Sequence, residues 1–212
     1  MANLPVVTAP ATLSLRNRHQ LFVKQRHEIA ELFGYETRNK YEILDPNGAL
    51  VAFAAEQQKG VVGFLFRQVL GHWRTFDIQF FTQDRQPLFR AHHPFRFFFQ
   101  RLEIFGADGA YLGALQQRFS IINKRFDVQD STGQTIMECA SPIWRIWTFP
   151  FTARGHEVAC VKKKWAGLLA EGFTDKDNFA VDFAAELSET ERSLVLAAAI
   201  FIDLQYFERK AS

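Results

Sequence analysis

Between Leu194 and Ile202 the chain reads LVLAAAIFI, nine apolar residues in a row. Just upstream, Ser188 and Glu191 stand at the two reciprocal positions of a helix capping box. Downstream, Arg209 and Lys210 supply the cations that suit a helix C-terminus. The run therefore predicts a helix over 188–209. Because it is apolar on every face, that helix must be buried on all sides. A bilayer is a poor way to bury it. Extended to Phe207 the stretch is about 14 residues, with Asp203 and Gln205 inside it, whereas a spanning helix needs about 20 apolar residues. The remaining solution is enclosure by the chain's own structure, with Leu194, Ala198, Phe201 and Ile202 facing the surrounding wall. Asp203 then belongs near the mouth of that enclosure, satisfied by an arginine or by backbone amides, since a carboxylate buried without partners costs several kcal/mol.

The wall is written in strands. NKYEILDPNGALVAFAAE sets two alternating apolar runs around DPNG, a turn whose Pro presets φ and whose Gly accepts φ > 0. Further corners follow at TQDRQ (82–86), GADG (106–109), DSTG (130–133) and TARG (152–155). Gly109, Gly133 and Gly155 recur about 22–24 residues apart, which is two strands and two turns of a meander. In TFDIQFF, Phe76, Ile78 and Phe80 point one way and Asp77 and Gln79 the other. The 23 phenylalanines suit pleated surfaces. A meander this long either exposes its edges or closes into a barrel, and an enclosed C-terminal helix favours the barrel. Before it, residues 1–17 read as a loose tail carrying Pro5 and Pro10, and QRHEIAELFG as a short helix with Ile29, Leu32 and Phe33 on one face. Residues 18–212 then form a single domain.

Three segments in order, GYETRNKYEI, KKWAGLLAEGFTDKDNFAVDF and AAAIFIDLQYFE, resemble the phospholipid scramblase family, and the likeness runs from about residue 18 to 209. The family is similar to tubby-like proteins. The resemblance therefore implies a mainly β fold: a closed antiparallel barrel of about twelve strands around a hydrophobic C-terminal helix. It also implies action on phospholipids at membrane surfaces, with lipid scrambling that needs no ATP. Two family features are absent. The place of a palmitoylated cysteine cluster reads HHPFRFFFQRLEIF, and the N-terminal stretch is not proline-rich. A short, unlipidated, bacterial-type member is the expectation.

The resemblance places a calcium loop on Asp175–Glu186, making calcium the one cofactor in question. Asp175, Asp177 and Glu186 would take positions one, three and twelve. Against this, Phe179 holds position five, Ala180 stands where that loop wants Gly, and Phe183 holds position nine. The same residues read better as a polar turn, TDKDN, and a strand, FAVDF, with Phe179, Val181 and Phe183 inward.

Nothing else carries covalent chemistry. HEIAE and HEVAC lack the second His of a zinc helix, and there is no nucleophile elbow, phosphate loop or dinucleotide fingerprint. His92 and His93, adjacent before Pro94, read as a surface turn and on a strand would face opposite sides. Cys139 and Cys160 read as buried, reduced thiols. A net charge of +2 does not suggest a nucleic-acid partner. The N-terminus lacks a secretory pattern, so the expected place is the cytoplasm, peripheral at the inner face of the plasma membrane.

Two features bear on membranes. In PFRFFFQR, strand parity would put Phe95, Phe97 and Phe99 in the core and Phe98 outside. Alternatively the segment dips into lipid between Arg96 and Arg101. Lys162, Lys163 and Lys164 form a small cationic run suited to lipid phosphates. The two functions that remain are a phospholipid-scrambling protein at the membrane surface and a soluble tubby-like module that binds a headgroup, protein or nucleic acid without transport.

Overall fold

The computed structural model describes residues 15–26, 37–57, 75–142, 144–145, 147–164 and 178–206. Twelve strands follow one another: β1 (Gln20–Arg26), β2 (Thr37–Leu44), β3 (Leu50–Gln57), β4 (Phe76–Thr82), β5 (Pro87–His93), β6 (Arg101–Gly106), β7 (Tyr111–Arg118), β8 (Asn123–Asp130), β9 (Thr135–Pro142), β10 (Thr148–Ala153), β11 (His156–Lys164) and β12 (Asn178–Phe183). Each pairs antiparallel with its neighbours in sequence, and β1 pairs with β12 through Leu21↔Val181 and Val23↔Phe179. The barrel is closed, so the wall presents no edge for another chain to extend.

Down its axis runs α1 (Glu189–Tyr206), and every residue from Arg192 to Leu204 is buried. The expected capping box is made: the Ser188 amide donates to Glu191 Oε2 at 2.8 Å and the Glu191 amide to Ser188 Oγ at 3.3 Å. Inward side chains follow strand parity, as in Phe76, Ile78 and Phe80 on β4 and Phe149 and Phe151 on β10. Phe201 of the helix meets the ring of Phe126 at 6.1 Å and that of His93 at 5.6 Å.

Arg192 locks the lower end of the helix. Its guanidinium donates to the carbonyls of Leu187, Arg18, Ala184 and Ala185 at 2.6–3.2 Å, tying the approach to β1 and the exit of β12 to the plug. Burial is the first cause that lowers its pKa, and Glu186 opposes that shift.

Two expectations change at this level. Leu15, assigned to the tail, is buried in the core, and its amide donates to Glu189 Oε1 at 3.1 Å. The wall thus holds chain upstream of residue 18. Asp203 accepts a hydrogen bond from the Tyr41 hydroxyl at 3.1 Å, because β2 passes that turn of the helix with a tyrosine inward. His92 and His93 lie within β5, not in a turn. His92 Nδ1 pairs with Asp77 at 2.7 Å on the outer face, while His93 stacks on Phe76 at 4.6 Å inside. The short helix expected over Ile29–Phe33 and the cations Arg209 and Lys210 lie outside the described residues.

Candidate functional site

Consecutive antiparallel strands put the connections after even-numbered strands at one end of the barrel and those after odd-numbered strands at the other. The even end is made of tight turns. Gly48, Gly109, Gly133 and Gly155 all take positive φ there, closing DPNG, GADG, DSTG and TARG. The described connections of the odd end, 94–100, 119–122 and parts of 143–147, lack such glycine turns.

Between β5 and β6, residues 94–100 leave the sheet, and Phe95, Phe97, Phe98 and Phe99 are 45, 58, 80 and 47% exposed. Parity predicted three of these in the core. That reading fails because β5 ends at His93, so no pleat continues through the four rings. The segment is held in shape. Gln100 donates its amide to Gln117 Oε1 at 2.9 Å and its side-chain NH2 to the Arg96 carbonyl at 3.2 Å, and Gln116 Nε2 reaches the Phe99 carbonyl at 3.1 Å. Phe99 sits at φ +52°, a conformation a bulky residue adopts only when its surroundings impose it. A hydrogen-bonded loop that strains one residue and keeps four phenylalanines in water is shaped for contact with something apolar.

The next two odd-end connections have the same character. Phe119, Ile121 and Ile122 between β7 and β8 are 74, 80 and 57% exposed, and Trp144 between β9 and β10 is 70% exposed. Asn123 donates its amide to Ser120 Oγ at 3.1 Å, and buried Ser141 donates to the carbonyls of Arg145 and Thr148. The sequence reading missed these four apolar residues. The available signal was their position: Ile121 lies midway between Gly109 and Gly133, and Trp144 midway between Gly133 and Gly155.

The cations named from sequence are not gathered into one cluster. Arg96 is exposed among the phenylalanines. Arg101 begins β6 and is engaged with Glu103, Gln116, Gln129 and Tyr111. Along β11 the lysines alternate. Lys162 turns outward onto Asp182 at 3.0 Å, a hydrogen bond that raises its pKa. Lys163 Nζ lies 5.7 Å from the Trp147 ring and 5.5 Å from that of Phe179. Lys164 ends the strand at the odd end, and its side chain lies outside the described residues. Leu194, Ala198, Phe201 and Ile202 are all fully buried, so the helix offers nothing to a ligand along its middle.

Of the calcium set only Glu186 lies among the described residues. Asn178–Phe183 runs as β12, and Glu186 lies exposed beyond its far end, in the turn to α1. A strand rises about 3.3 Å per residue, so roughly 20 Å of extended chain separates the entry of β12 from Glu186. Asp175 and Asp177 lie outside the described residues. Among the described residues, no three of His, Cys, Asp and Glu gather to hold a metal, and no helix is long and apolar enough to cross a membrane.

Comparison with known proteins agrees with this geometry. The chain is 27% identical to human phospholipid scramblase 1 over 98% of its own length and 69% of that protein's. It is 28% identical to human phospholipid scramblase 2 over 97% of its length and 73% of that protein's. It is also 24% identical to altered inheritance rate of mitochondria protein 25 of Saccharomyces cerevisiae, over 94% of its length and 74% of the yeast protein's. A solved structure of a protein from Arabidopsis thaliana shares the fold, with a TM-score of 0.50 at 9% identity, covering 87% of this chain and 90% of that one. The family model described as Scramblase matches residues 1–209, and this chain belongs to that family.

Proposed function

We propose that this protein acts peripherally on phospholipid membranes, and that its activity is ATP-independent movement of phospholipid at the bilayer surface. The observation that carries the reading is the braced β5–β6 connection with four exposed phenylalanines around Arg96. Such a segment suits the headgroup–acyl boundary, where rings bury and the guanidinium meets phosphate. The names of the human relatives support phospholipid as the substrate class. The proposal leaves calcium out, because β12 runs extended from Asn178 to Phe183 and Glu186 lies beyond it.

A second reading rests on the plug. With Arg192 to Leu204 buried, the barrel interior offers no polar track for a headgroup to cross hydrocarbon. This favours a membrane-binding module that does not transport. Reconstitution decides between them. Dithionite quenching of labelled lipid beyond the outer-leaflet half, with and without calcium, supports movement. Quenching that stops at half, in vesicles that retain the protein, leaves the binding module. Failure to sediment with any vesicle rejects both.

A further inference from the structure

All eight large apolar side chains that stand exposed among the described residues lie on three neighbouring connections of the odd end: 94–100, 119–122 and 143–147. Five different strands hold them in place, since β6 and β7 brace the first, β7 and β8 flank the second, and β9 and β10 flank the third. The charges are sorted in the same sense. Across 94–101, 118–125 and 142–148 stand Arg96, Arg101, Arg118, Lys124, Arg125 and Arg145, with no Asp or Glu. Arg118 and Arg125 reach back to Asp127 and Glu138 on the strands, whereas Arg96 and Arg145 are exposed at the tip. The even end is the reverse. Its turns carry Asp45, Asp84, Asp108 and Asp130, and the chain enters α1 through Glu186, Glu189 and Glu191, against Arg16, Arg18, Arg85 and Arg154.

The geometry points to end-on docking. The three connections together form one insertion rim whose partner is an anionic phospholipid bilayer, with the barrel axis steep to the membrane and the helix C-terminus toward it. This rests on the membrane reading above and extends it from one loop to three neighbouring connections of that end. A lipid surface fits better than a protein partner because the rim combines protruding apolar side chains with exposed arginines and no carboxylate. That pattern matches a boundary that is apolar below and anionic above. The acidic end is then held farthest from the negative surface, so the field orients the molecule before it lands.

The test uses the full chain and phosphatidylserine–phosphatidylcholine vesicles. Ile121→Glu and Trp144→Glu, each on a loop remote in sequence from Phe98, are expected to weaken sedimentation about tenfold, as Phe98→Glu does. Ser131→Glu at the even end leaves it unchanged. Circular dichroism of each variant confirms folding. In parallel, an environment-sensitive dye on Phe98→Cys, Ile121→Cys and Trp144→Cys shifts to the blue on vesicle binding, and on Ser131→Cys it does not. If only the Phe98 variants respond, docking uses a single loop: end-on insertion is overturned and the membrane reading survives. If wild type binds no vesicle, both fall. A dimer abolished by Ile121→Glu, without vesicle binding, assigns the rim to a second copy of the chain and likewise overturns the proposal.

Discussion

Gly113 lies in β7 with φ +149°, and a Cβ built there would stand 2.2 Å from the Gln129 carbonyl oxygen on β8. The backbones of β7 and β8 approach too closely for any side chain, so Gly113→Ala must push them apart or lose the Gly113↔Asp130 register. A loss of more than about 1 kcal/mol is expected, read as a lower urea midpoint. Burial shapes the acid–base chemistry in the same local way. It pushes the Cys139 thiol far up, the Cys160 thiol from 9.0 to about 11, and the Tyr206 hydroxyl from 10.0 to about 12. Each folded-state pKa is raised, so the protonated group favours the folded form fully below its unfolded value. That contribution disappears as pH climbs toward the folded value. Stability is therefore expected to hold to about pH 8 and to fall between about pH 9 and 11. Cys160→Ala flattens part of that fall. An unchanged urea midpoint at pH 10 would refute the assignment.

At the scale of elements, α1 is held by shape along its middle and by polar contacts at its entry. Ala197, Ala198 and Ala199 are fully buried, the short side chains letting the helix pass close to the wall. Ala198→Phe adds a ring where none fits and is expected to cost about 1–3 kcal/mol or more. Arg192→Met keeps the length but strands the carbonyls of Leu187, Arg18, Ala184 and Ala185. A cost of about 3 kcal/mol is expected, with residues 15–19 becoming protease-sensitive before the barrel does. These elements were legible because each has a periodic or compositional signal: all-round apolarity in α1, alternation in β4, glycines with positive φ in the even-end turns. The rim was not. Alternation gives the parity of a strand but not the residue where it stops, so parity puts Phe95, Phe97 and Phe99 in the core although they lie two to six residues beyond the end of β5. The positive φ of Phe99 has no counterpart in its residue type, and it follows from the glutamine bonds made across to β7. The twelve-residue calcium spacing has a related weakness: motif spacing counts residues, whereas β12 turns six of them into an extended strand.

For the whole molecule the decisive relation is between the plug and the rim. End-on docking presents the helix C-terminus to the membrane while Arg192 anchors its other end on the far side of the barrel, so binding does not require the helix to leave. Cys139 reports on this directly. It is fully buried in the wall, paired in register with Phe126, whose ring packs on Phe201 of the helix. In a Cys160→Ala background it is the only thiol in the chain. While the helix stays enclosed, Cys139 is covered and its raised pKa keeps it in the unreactive protonated form. Maleimide labelling is therefore expected to be as slow on anionic vesicles as in buffer, and fast only in denaturant. A membrane-spanning role for α1 requires the core to empty, which would leave Cys139 facing a vacated interior and speed its labelling when vesicles are added. Unchanged protection together with lipid movement would locate the movement on the outer surface of the rim, where aromatic side chains disturb headgroup packing. Rapid labelling on vesicles would instead make the closed barrel a storage form of the protein and the extruded helix its working one.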